Sequence, residues 1–224
     1  VTLPAGVNRC WRCVNNVPTI DFLMWTAVGF LSGSVPWSLI LPKYISGKDA
    51  RDVGDGNPGA TNAWISSGWL VGIPAIILDI GKATIPVWIL MSSLDPSSFT
   101  DHLFMSIGVI SPVLGHAWSP FLGFKGGKAL ASSWGSWIAI THGLAFPVAL
   151  VILGIMHLIQ KNHSITVTTC LVFFVIIFGF RDGLNYLIIF GLCNLLLILY
   201  KHRTEYSKGL MVRSWIRRLL GSDC

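Results

Sequence analysis

Residues 69–94 read WLVGIPAIILDIGKATIPVWILMSSL, an apolar run whose only charged side chains are Asp79 and Lys82. Crossing the hydrocarbon layer of a membrane takes about 20 mainly apolar residues in a helix. Because hydrocarbon offers no partners for backbone amides and carbonyls, such a run is expected to be helical. Asp79 and Lys82 then lie on one face of the helix, where they either pair with each other or line a polar site. The stretch predicts an integral membrane protein.

The composition of the whole chain supports a membrane location. Of its 224 residues, 53% are hydrophobic and only 12% are charged, and the mean hydropathy is +0.66. Soluble domains typically carry about 25% charged residues. The formal net charge of +6 resides mostly in loops and in the C-terminal tail, which is typical of contact with membrane lipid and phosphate. These values argue against a soluble enzyme and against a nucleic-acid partner.

Seven apolar runs are expected to form membrane-buried helices, so the predicted fold is an all-α integral membrane protein. They cover residues 22–44, 69–94, 102–120, 129–140, 144–159, 165–180 and 184–200. Some are shorter than a perpendicular crossing needs, so short or tilted helices are expected. Five crossings are the alternative if short runs merge in pairs. The chain divides into an N-terminal extension of unknown role (1–21), a membrane domain (22–208) and a basic tail (209–224).

Basic side chains concentrate in alternate loops. They occur in the first, third and fifth loops and after the last run, as Lys43, Lys48, Arg51, Lys125, Lys128, Lys161, Lys201, Arg203 and Lys208. Seven crossings bring all these groups to one side, which the positive-inside rule makes the cytoplasm. The N-terminus is then outside and the C-terminus cytoplasmic, although Arg9, Arg12 and Arg181 lie on the other side in this topology.

Two clusters of glycine, amide and cationic residues interrupt the apolar runs. Residues 47–62 read GKDARDVGDGNPGATN, and Gly115-His116 precedes a second cluster, FKGGK, at residues 124–128. Glycine lets backbone N–H groups approach an anion closely, and Lys or Arg supplies the opposite charge. A helix that begins at the end of the first cluster would itself attract an anion. The clusters predict a site for phosphorylated substrates at the membrane surface.

Other kinds of site are not supported by the sequence. FKGGK is followed by Ala129 and lacks the spacing of a nucleotide-binding P-loop. Cys10 and Cys13 form a C-x-x-C pair without a second pair to complete a metal site, so the pair is interpreted as incidental, with a disulfide or a loose metal clip as the alternative. No trio of nucleophile, base and acid is visible. Neither a metal nor a cofactor is expected.

Five motifs occur in order between Gly33 and Lys208. They are GSVP at 33–36, KDAR and GDGNPGATN within 48–62, DIGK at 79–82, GH and FKGGK within 115–128, and KHR at 201–203. Together they resemble the bacterial acyl-phosphate:glycerol-3-phosphate acyltransferase family. The resemblance implies a multi-pass enzyme of the bacterial cytoplasmic membrane with seven helices and cytoplasmic motif loops.

The same resemblance implies a reaction in phospholipid synthesis. A fatty acyl group moves from acyl phosphate to the 1-hydroxyl of glycerol 3-phosphate and forms lysophosphatidic acid, without acyl-CoA or a cofactor. The expected partners are therefore glycerol 3-phosphate, acyl phosphate and membrane lipid. In the family the substrate's own phosphate can take the hydroxyl proton, which fits a chain without an obvious catalytic trio.

The motifs assign the candidate site residues. The resemblance implies catalytic roles for Ser34, Arg51 and His202. It implies substrate binding by Gly56, Asn57, Gly59, Thr61, Asn62, His116, Lys125, Gly126, Gly127, Lys128 and Ser164.

Most of these residues also have a structural interpretation. Ser34 is small enough to serve helix packing, and Arg51 could anchor a lipid headgroup. Asn57, Thr61 and Asn62 are typical turn and helix-cap residues, and His116 could be a loop histidine. His202 could act as a general base, bind phosphate, or simply belong to the basic side of the membrane.

Three positions depart from the family pattern. Asp55 stands where Ser is usual, Ile65 where Arg is usual, and Glu205 where Asn is usual. All three make the expected site less cationic, and Asp55 could pair with Arg51 and weaken its hold on phosphate. The alternative function is therefore a divergent relative that binds phosphorylated lipid precursors, either with another acceptor or without turnover.

Overall fold

The computed structural model describes residues 19–94, 96, 98–182 and 185–219. Cys10, Cys13 and most of the N-terminal extension lie outside these ranges. The α-helices are α1 (Thr19–Ser34), α2 (Trp37–Ser46), α3 (Ala60–Ser67), α4 (Trp69–Ser93), α5 (Phe99–Ala117), α6 (Leu130–Ile140), α7 (Ala145–Ile159), α8 (His163–Asp182), α9 (Tyr186–Lys201), α10 (Arg203–Tyr206) and α11 (Ser214–Leu219). Single 3₁₀ turns lie at Ala50–Asp52 and Pro120–Leu122.

The predicted all-α membrane fold is confirmed. The described residues form no β-strand, and their one isolated β-bridge joins Gln160 to Val212. Among the described residues, three segments are long and apolar enough to cross a membrane: Ile20–Ser46, Trp69–Ser93 and His163–Arg181. Ala145–Ile159 and Tyr186–Lys201 are shorter apolar helices. The number of crossings stays a prediction.

The first apolar run is broken, although the sequence predicts one continuous span there. α1 ends at Ser34 and α2 begins at Trp37, because Pro36 lacks a backbone N–H and disfavours helical geometry at the residue before it. The Val35 carbonyl exposed by the break accepts a hydrogen bond of 2.7 Å from Lys82 Nζ of α4. A buried cation on a neighbouring helix therefore stabilises the break.

Glycines allow α1 and α5 to pack closely. A Cβ on Gly33 would overlap the backbone of Pro112, and a Cβ on Gly115 would overlap the carbonyl of Phe30. Small residues at helix contacts let helix backbones approach closely in membrane bundles. Close packing matters there because lipid tails are as apolar as the side chains, so helices gain no hydrophobic free energy by associating. α1 is thereby held against the C-terminal half of α5, which ends beside the loop that contains FKGGK.

The other half of the bundle packs around Trp137 of α6. Its ring contacts Phe174 and Phe178 of α8 and Phe190 of α9, with centroid distances of 5.0, 5.8 and 5.2 Å. Trp137 Nε1 donates to Asn194 Oδ1 at 3.2 Å, which satisfies the indole N–H inside the apolar core. This core fixes α6, α8 and α9 relative to one another.

The loops that contain the cations meet at one end of the bundle. Lys128, after α5, bonds Asp55 of the α2–α3 loop, and Lys201 Nζ at the end of α9 donates to Ala117 O at 2.6 Å. The α7–α8 loop joins the same end, where Lys161 N donates to Met211 O at 2.8 Å. The arrangement gathers both glycine-rich clusters around one site, and the side of the membrane on which they lie stays a prediction.

Candidate functional site

A cavity of about 750 Å³ lies at this end of the bundle. Its polar end is lined by Asp55, Asn57, Asn62, His116, Lys128, His202 and Glu205. Its apolar wall, from α6, α7 and α8, is lined by Leu130, Trp134, Ile138, Phe146, Leu150, Leu153 and Val167. Phe146 and Leu150 are also exposed on the bundle surface, so the apolar wall continues onto the face that contacts lipid.

A second cavity of about 500 Å³ adjoins the polar end. The two cavities share Asp55, Asn57, Lys128, Glu205 and Lys208. The second cavity adds Gly56, Pro58, Gly126, Gly127, Lys201, Arg203 and Thr204. The shared boundary places Lys128 between a solvent-side polar cleft and the apolar wall.

Lys128 is bonded to two carboxylates. Its Nζ donates to Asp55 Oδ2 at 2.5 Å and to Glu205 Oε1. Partial burial disfavours its charged form, but the hydrogen bonds to both carboxylates outweigh that effect and raise the pKa of Lys128. The pairing of Asp55 with Arg51, considered from the sequence, is wrong, because Asp55 contacts a lysine from a distant loop while Arg51 bonds Asp49.

Asp55 also organises its own loop. Its Oδ1 accepts hydrogen bonds from the Asn57 backbone at 3.1 Å and from Asn62 Nδ2 at 2.8 Å. Burial alone would raise the pKa of Asp55, but these bonds and the Lys128 contact hold it at about 2. Asn57 and Asn62 therefore hold the loop in shape and line the cavity at once.

The predicted helix start at the end of the first cluster is confirmed. α3 begins at Ala60, and its N-cap, Gly59, provides no side-chain cap. Gly59, Ala60 and Thr61 all line the larger cavity. The backbone N–H groups of the first turn, which have no acceptor within the helix, therefore lie beside the cavity.

His202 follows α9 and is fully buried against Ser164 of α8. His202 Nδ1 lies 2.8 Å from Ser164 Oγ, and Ser164 Oγ donates to Glu205 Oε2. His202 Nε2 is buried without a hydrogen-bond partner among the described residues, in a residue that lines the larger cavity. Burial lowers the pKa of His202, although Glu205 works in the opposite direction, so the imidazole is neutral at physiological pH.

Glu205 is ionised despite its partial burial. Burial would raise the pKa of Glu205, but hydrogen bonds from Lys128 and Ser164 hold it at about 2. The carboxylate therefore joins the FKGGK lysine to the buried histidine, both through the Ser164 hydroxyl and by a direct contact of 3.4 Å between Glu205 Oε2 and His202 Nδ1.

His116 and Gly127 form the contact between α5 and the second cluster. The Gly127 N–H donates to His116 O at 3.0 Å. A Cβ on Gly127 would collide with the His116 ring, at 2.4 Å from Nε2, so a larger residue here would displace His116. His116 is 8% exposed and lines the larger cavity.

Asp79 and Lys82 form the mutual pair considered from the sequence, and Asp79 also lines the larger cavity. Lys82 Nζ lies 2.8 Å from Asp79 Oδ1, and the two side chains are 3% and 0% exposed. Ser38 donates to Asp79 Oδ2. Asp79 therefore does both things considered from the sequence: it pairs with Lys82 and it lines the cavity.

Most of the sequence-predicted site residues line one of the two cavities. They are Gly56, Asn57, Gly59, Thr61, Asn62, His116, Gly126, Gly127, Lys128 and His202. Ser164 is one hydrogen bond away, through His202. They come from four separate parts of the chain, and motif order alone did not show that these parts meet.

Besides Ser164, three predicted site residues do not line either cavity. Ser34 is 1% exposed and its Oγ donates to Phe30 O at 2.7 Å within α1. Arg51 is exposed, and its guanidinium, hydrogen-bonded to Asp49, holds the pKa of that carboxyl at about 2. Lys125 is exposed at the same end of the bundle. Roles for these three in the reaction stay predictions.

Sequence reasoning missed His163 and the aromatic part of the apolar wall. His163 and Trp134 line the larger cavity. His163 could have been predicted as a site residue from its position directly before the candidate Ser164. Trp134 gave none, because an aromatic residue in an apolar run is expected in any helix core.

Comparison with known proteins identifies relatives along most of the chain. The family model described as "Glycerol-3-phosphate acyltransferase" matches residues 23–211. Glycerol-3-phosphate acyltransferase 1 of Thermotoga maritima is 34% identical over 207 residues, covering 85% of this chain and 99% of that protein. The glycerol-3-phosphate acyltransferase of Pelagibacter ubique is 32% identical over 191 residues, covering 84% and 94%.

Solved structures show the same fold. The crystal structure of PlsY (YgiH), an integral membrane glycerol 3-phosphate acyltransferase, in its glycerol 3-phosphate form superposes with a TM-score of 0.73 at 29% identity. The match covers 91% of this chain and 94% of that one. The lysophosphatidic acid form gives a TM-score of 0.72 at 27% identity with the same coverage.

Proposed function

Because this chain belongs to the glycerol-3-phosphate acyltransferase family, we propose that it transfers a fatty acyl group from acyl phosphate to the 1-hydroxyl of glycerol 3-phosphate. The product is lysophosphatidic acid, a precursor of membrane phospholipid. The observation that carries this proposal is the larger cavity, which joins an end lined by Lys128 and backbone amides to an apolar wall open to lipid. A substrate pair with two phosphates and one long acyl chain requires both parts.

The polar end suits phosphate. Lys128 supplies a cation, Gly126 and Gly127 line the adjoining cavity, and the first turn of α3, which begins after Gly59, lies beside the larger cavity. Helix N-termini and glycine-rich loops bind anions in this way. Arg51 and Lys125, exposed at the same end, are proposed to attract the phosphates toward the cavity.

The apolar wall suits the acyl chain. Trp134 of α6, Leu150 of α7 and Val167 of α8 line it, and none carries a charge. A fatty chain that lies along these residues keeps its reactive carbonyl at the water boundary, beside Lys128 and His202. Access from the lipid face removes the need to pass an acyl chain through water.

The chemistry needs positioning more than a covalent intermediate. Acyl phosphate is a mixed anhydride, so attack by the glycerol hydroxyl forms the ester bond while phosphate leaves with the electrons of the broken bond. Positioning and charge stabilisation supply most of such a rate enhancement. Lys128 is placed to stabilise the departing phosphate, and the phosphate of glycerol 3-phosphate is proposed to take the hydroxyl proton. His202 lines the same cavity.

An assay of the purified protein tests the proposal. Palmitoyl phosphate and glycerol 3-phosphate should yield lysophosphatidic acid and inorganic phosphate, whereas palmitoyl-CoA should yield neither. Product only with a different phosphorylated acceptor would support the altered-acceptor alternative. Binding of glycerol 3-phosphate without product would support the non-catalytic one.

The motif loops are proposed to face the cytoplasm, with seven crossings and the N-terminus outside. In a cysteine-free background, Lys48→Cys and Lys161→Cys are expected to react with an impermeant thiol reagent only after the inner face is opened. His142→Cys, in the exposed turn between α6 and α7, should react from outside. Labelling of all three positions from the same side would contradict the topology.

Asp55→Ser is expected to lower the KM for glycerol 3-phosphate several-fold. Asp55 neutralises Lys128 and lies where a substrate phosphate would approach. Two unit charges about 4 Å apart repel by roughly 4 kcal/mol at an effective dielectric near 20, and screening reduces this to about 1 kcal/mol at an exposed site. Steady-state kinetics with varied glycerol 3-phosphate measures the change.

The matched control for this change is Asp52→Ser, an exposed carboxylate in the preceding turn that lines neither cavity. It should leave the KM unchanged. If Asp55→Ser instead lowers kcat, the contacts of Asp55 with Asn57 and Asn62 matter more than its charge, and repulsion of substrate is not its main effect.

A further inference from the structure

We propose that residues 208–219, called here the C-terminal strap, form an interaction surface for anionic phospholipid headgroups, and that lipid bound there steadies the adjoining site. The surface follows from the contacts, exposure and charge of the strap. Its effect on turnover rests, in addition, on the proposed function.

The strap is fixed to the last turn of α7. The backbone N–H of Arg213 donates to Ile159 O at 3.0 Å, and its Nε donates to His157 O at 2.5 Å. Trp215 Nε1 donates to Leu158 O at 2.9 Å. Because the last carbonyls of a helix have no partner within it, the strap supplies donors to three consecutive carbonyls of α7. Specific hydrogen bonds therefore set its position.

These contacts place the strap where lipid tails give way to headgroups. The outer face of α7 is apolar, and Val151, Ile155 and Leu158 on it are each more than half exposed. An exposed apolar face of this kind contacts lipid in a membrane protein. Trp215 lies at the end of that face, with its N–H on a backbone carbonyl and its side chain 48% exposed. Tryptophan is typical of this boundary because its ring is apolar and its N–H is polar.

The charge of the strap selects anionic headgroups over neutral ones. The strap contains four cationic residues, Lys208, Arg213, Arg217 and Arg218, and no acidic residue. Each cation near an anionic membrane surface contributes about fivefold to affinity. A surface with this charge is therefore complementary to a phosphate headgroup that has no cationic group of its own.

Exposed apolar side chains stand beside these cations. Leu210 is 72% exposed and Met211 is 38% exposed. Segments that lie in a membrane interface combine basic residues with exposed aliphatic and aromatic side chains. These side chains extend the lipid-facing surface of α7, which the membrane already covers. Lipid is therefore the partner that fits both the apolar and the cationic parts of the strap.

A buried amide joins the strap to the site. Asn162, which is 4% exposed, donates from Nδ2 to Gly209 O at 2.9 Å and to Glu205 O at 3.3 Å. Its Oδ1 accepts the Ser164 N–H at 3.1 Å. Glu205 lines both cavities and bonds Lys128. A headgroup that holds the strap therefore also holds the turn that presents Glu205 to the cavities.

Hydrogen exchange followed by mass spectrometry tests the surface. The full chain is reconstituted in nanodiscs of phosphatidylcholine, either alone or mixed with phosphatidylglycerol. We expect the backbone amides of residues 208–219 to exchange at least about fivefold more slowly in the anionic membrane, because bound headgroups oppose opening of the strap. Equal exchange in the two membranes would overturn the inference. Exchange that depends on protein concentration but not on lipid charge would also overturn it, in favour of a second copy of the chain as the partner.

Two matched double variants separate charge from shape. Arg217→Gln with Arg218→Gln removes two of the cations, so most of the slowing in the anionic membrane should be lost. Arg217→Lys with Arg218→Lys alters the same two side chains but keeps their charge, so the slowing should persist. If the glutamine variant keeps the slowing, or the lysine variant loses it, the charge of the strap does not bind the lipid.

Kinetics test the effect on the site. In anionic nanodiscs the glutamine variant should have a severalfold lower kcat/KM for glycerol 3-phosphate than the lysine variant. In neutral nanodiscs the two variants should be equal. Comparing them within one membrane cancels the general repulsion between an anionic surface and an anionic substrate. Equal kinetics in both membranes, together with slower exchange in the anionic one, would confine the strap to lipid binding and overturn its effect on the site.

These outcomes separate the inference from the proposed function. If no lysophosphatidic acid forms in any membrane but the strap shows the expected exchange, the lipid surface stands and the proposed reaction fails. If product forms but the strap exchanges alike in both membranes, the reaction stands and the lipid surface is overturned.

Discussion

Lys128→Ala is expected to lower kcat/KM for glycerol 3-phosphate by about 10²–10³-fold, the usual loss when one donor to a developing anion is removed. The effect has two sources. The cation between the two cavities disappears, and Asp55 and Glu205, which it bonds, are left facing the incoming phosphates with their charges uncompensated.

The fold should survive this change, because Lys128 lies in a loop and its side chain is 25% exposed. Partly exposed ion pairs contribute only about 0–1 kcal/mol to stability. Lys161→Ala is the matched control: it removes an exposed lysine from the same end of the bundle that lines neither cavity. Near-normal turnover in Lys128→Ala, with the same melting temperature as the unaltered protein, would remove the FKGGK cluster from the mechanism.

Lys82→Met is expected to destabilise the protein by about 3–5 kcal/mol, the usual effect of removing one partner from a buried ion pair. Asp79 would remain 0% exposed without its cation. The Val35 carbonyl at the break between α1 and α2 would also lose its hydrogen bond from Lys82 Nζ. Thermal unfolding in detergent, followed by circular dichroism, measures the loss.

The double variant Asp79→Leu with Lys82→Met separates these two effects. It removes the uncompensated charge, so it should be more stable than Lys82→Met alone, while the Val35 carbonyl loses its bond from Lys82 in both and keeps the one from the Trp37 backbone. Lys43→Met, at an exposed position of α2, is the control for loss of a lysine. If the single and double variants unfold at the same temperature, the Asp79–Lys82 pair does not contribute as the buried geometry implies.

The membrane fold could be predicted from the sequence because apolar runs and loop cations are local signals. The run Trp69–Ser93 forms a helix as expected, and the end of the first cluster starts α3. The break at Val35 was missed, although Pro36 is visible in the sequence. Proline inside a membrane helix is tolerated when a neighbour satisfies the freed backbone, and the neighbour, Lys82, comes from another helix.

For the site, too, the sequence predicted individual residues but not their distant partners. Motif order predicted many of the residues at the polar end of the cavities, including Lys128 and His202. Their partners could not be predicted from spacing. Asp55 was expected to pair with Arg51, four positions away, whereas its partner, Lys128, lies in the loop after α5. Likewise, the sequence shows only that Glu205 makes the site less cationic. The structure shows that Glu205 accepts hydrogen bonds from Lys128 and Ser164.

The central claim is that one cavity holds phosphate at Lys128 and the acyl chain along α6 and α7. The most direct test is an experimental structure of the protein with lysophosphatidic acid bound. We expect the phosphate within hydrogen-bond distance of Lys128 Nζ and the acyl chain against Trp134 and Leu150. A phosphate bound away from Lys128, or a chain lying on the α1–α5 side of the bundle, would contradict it.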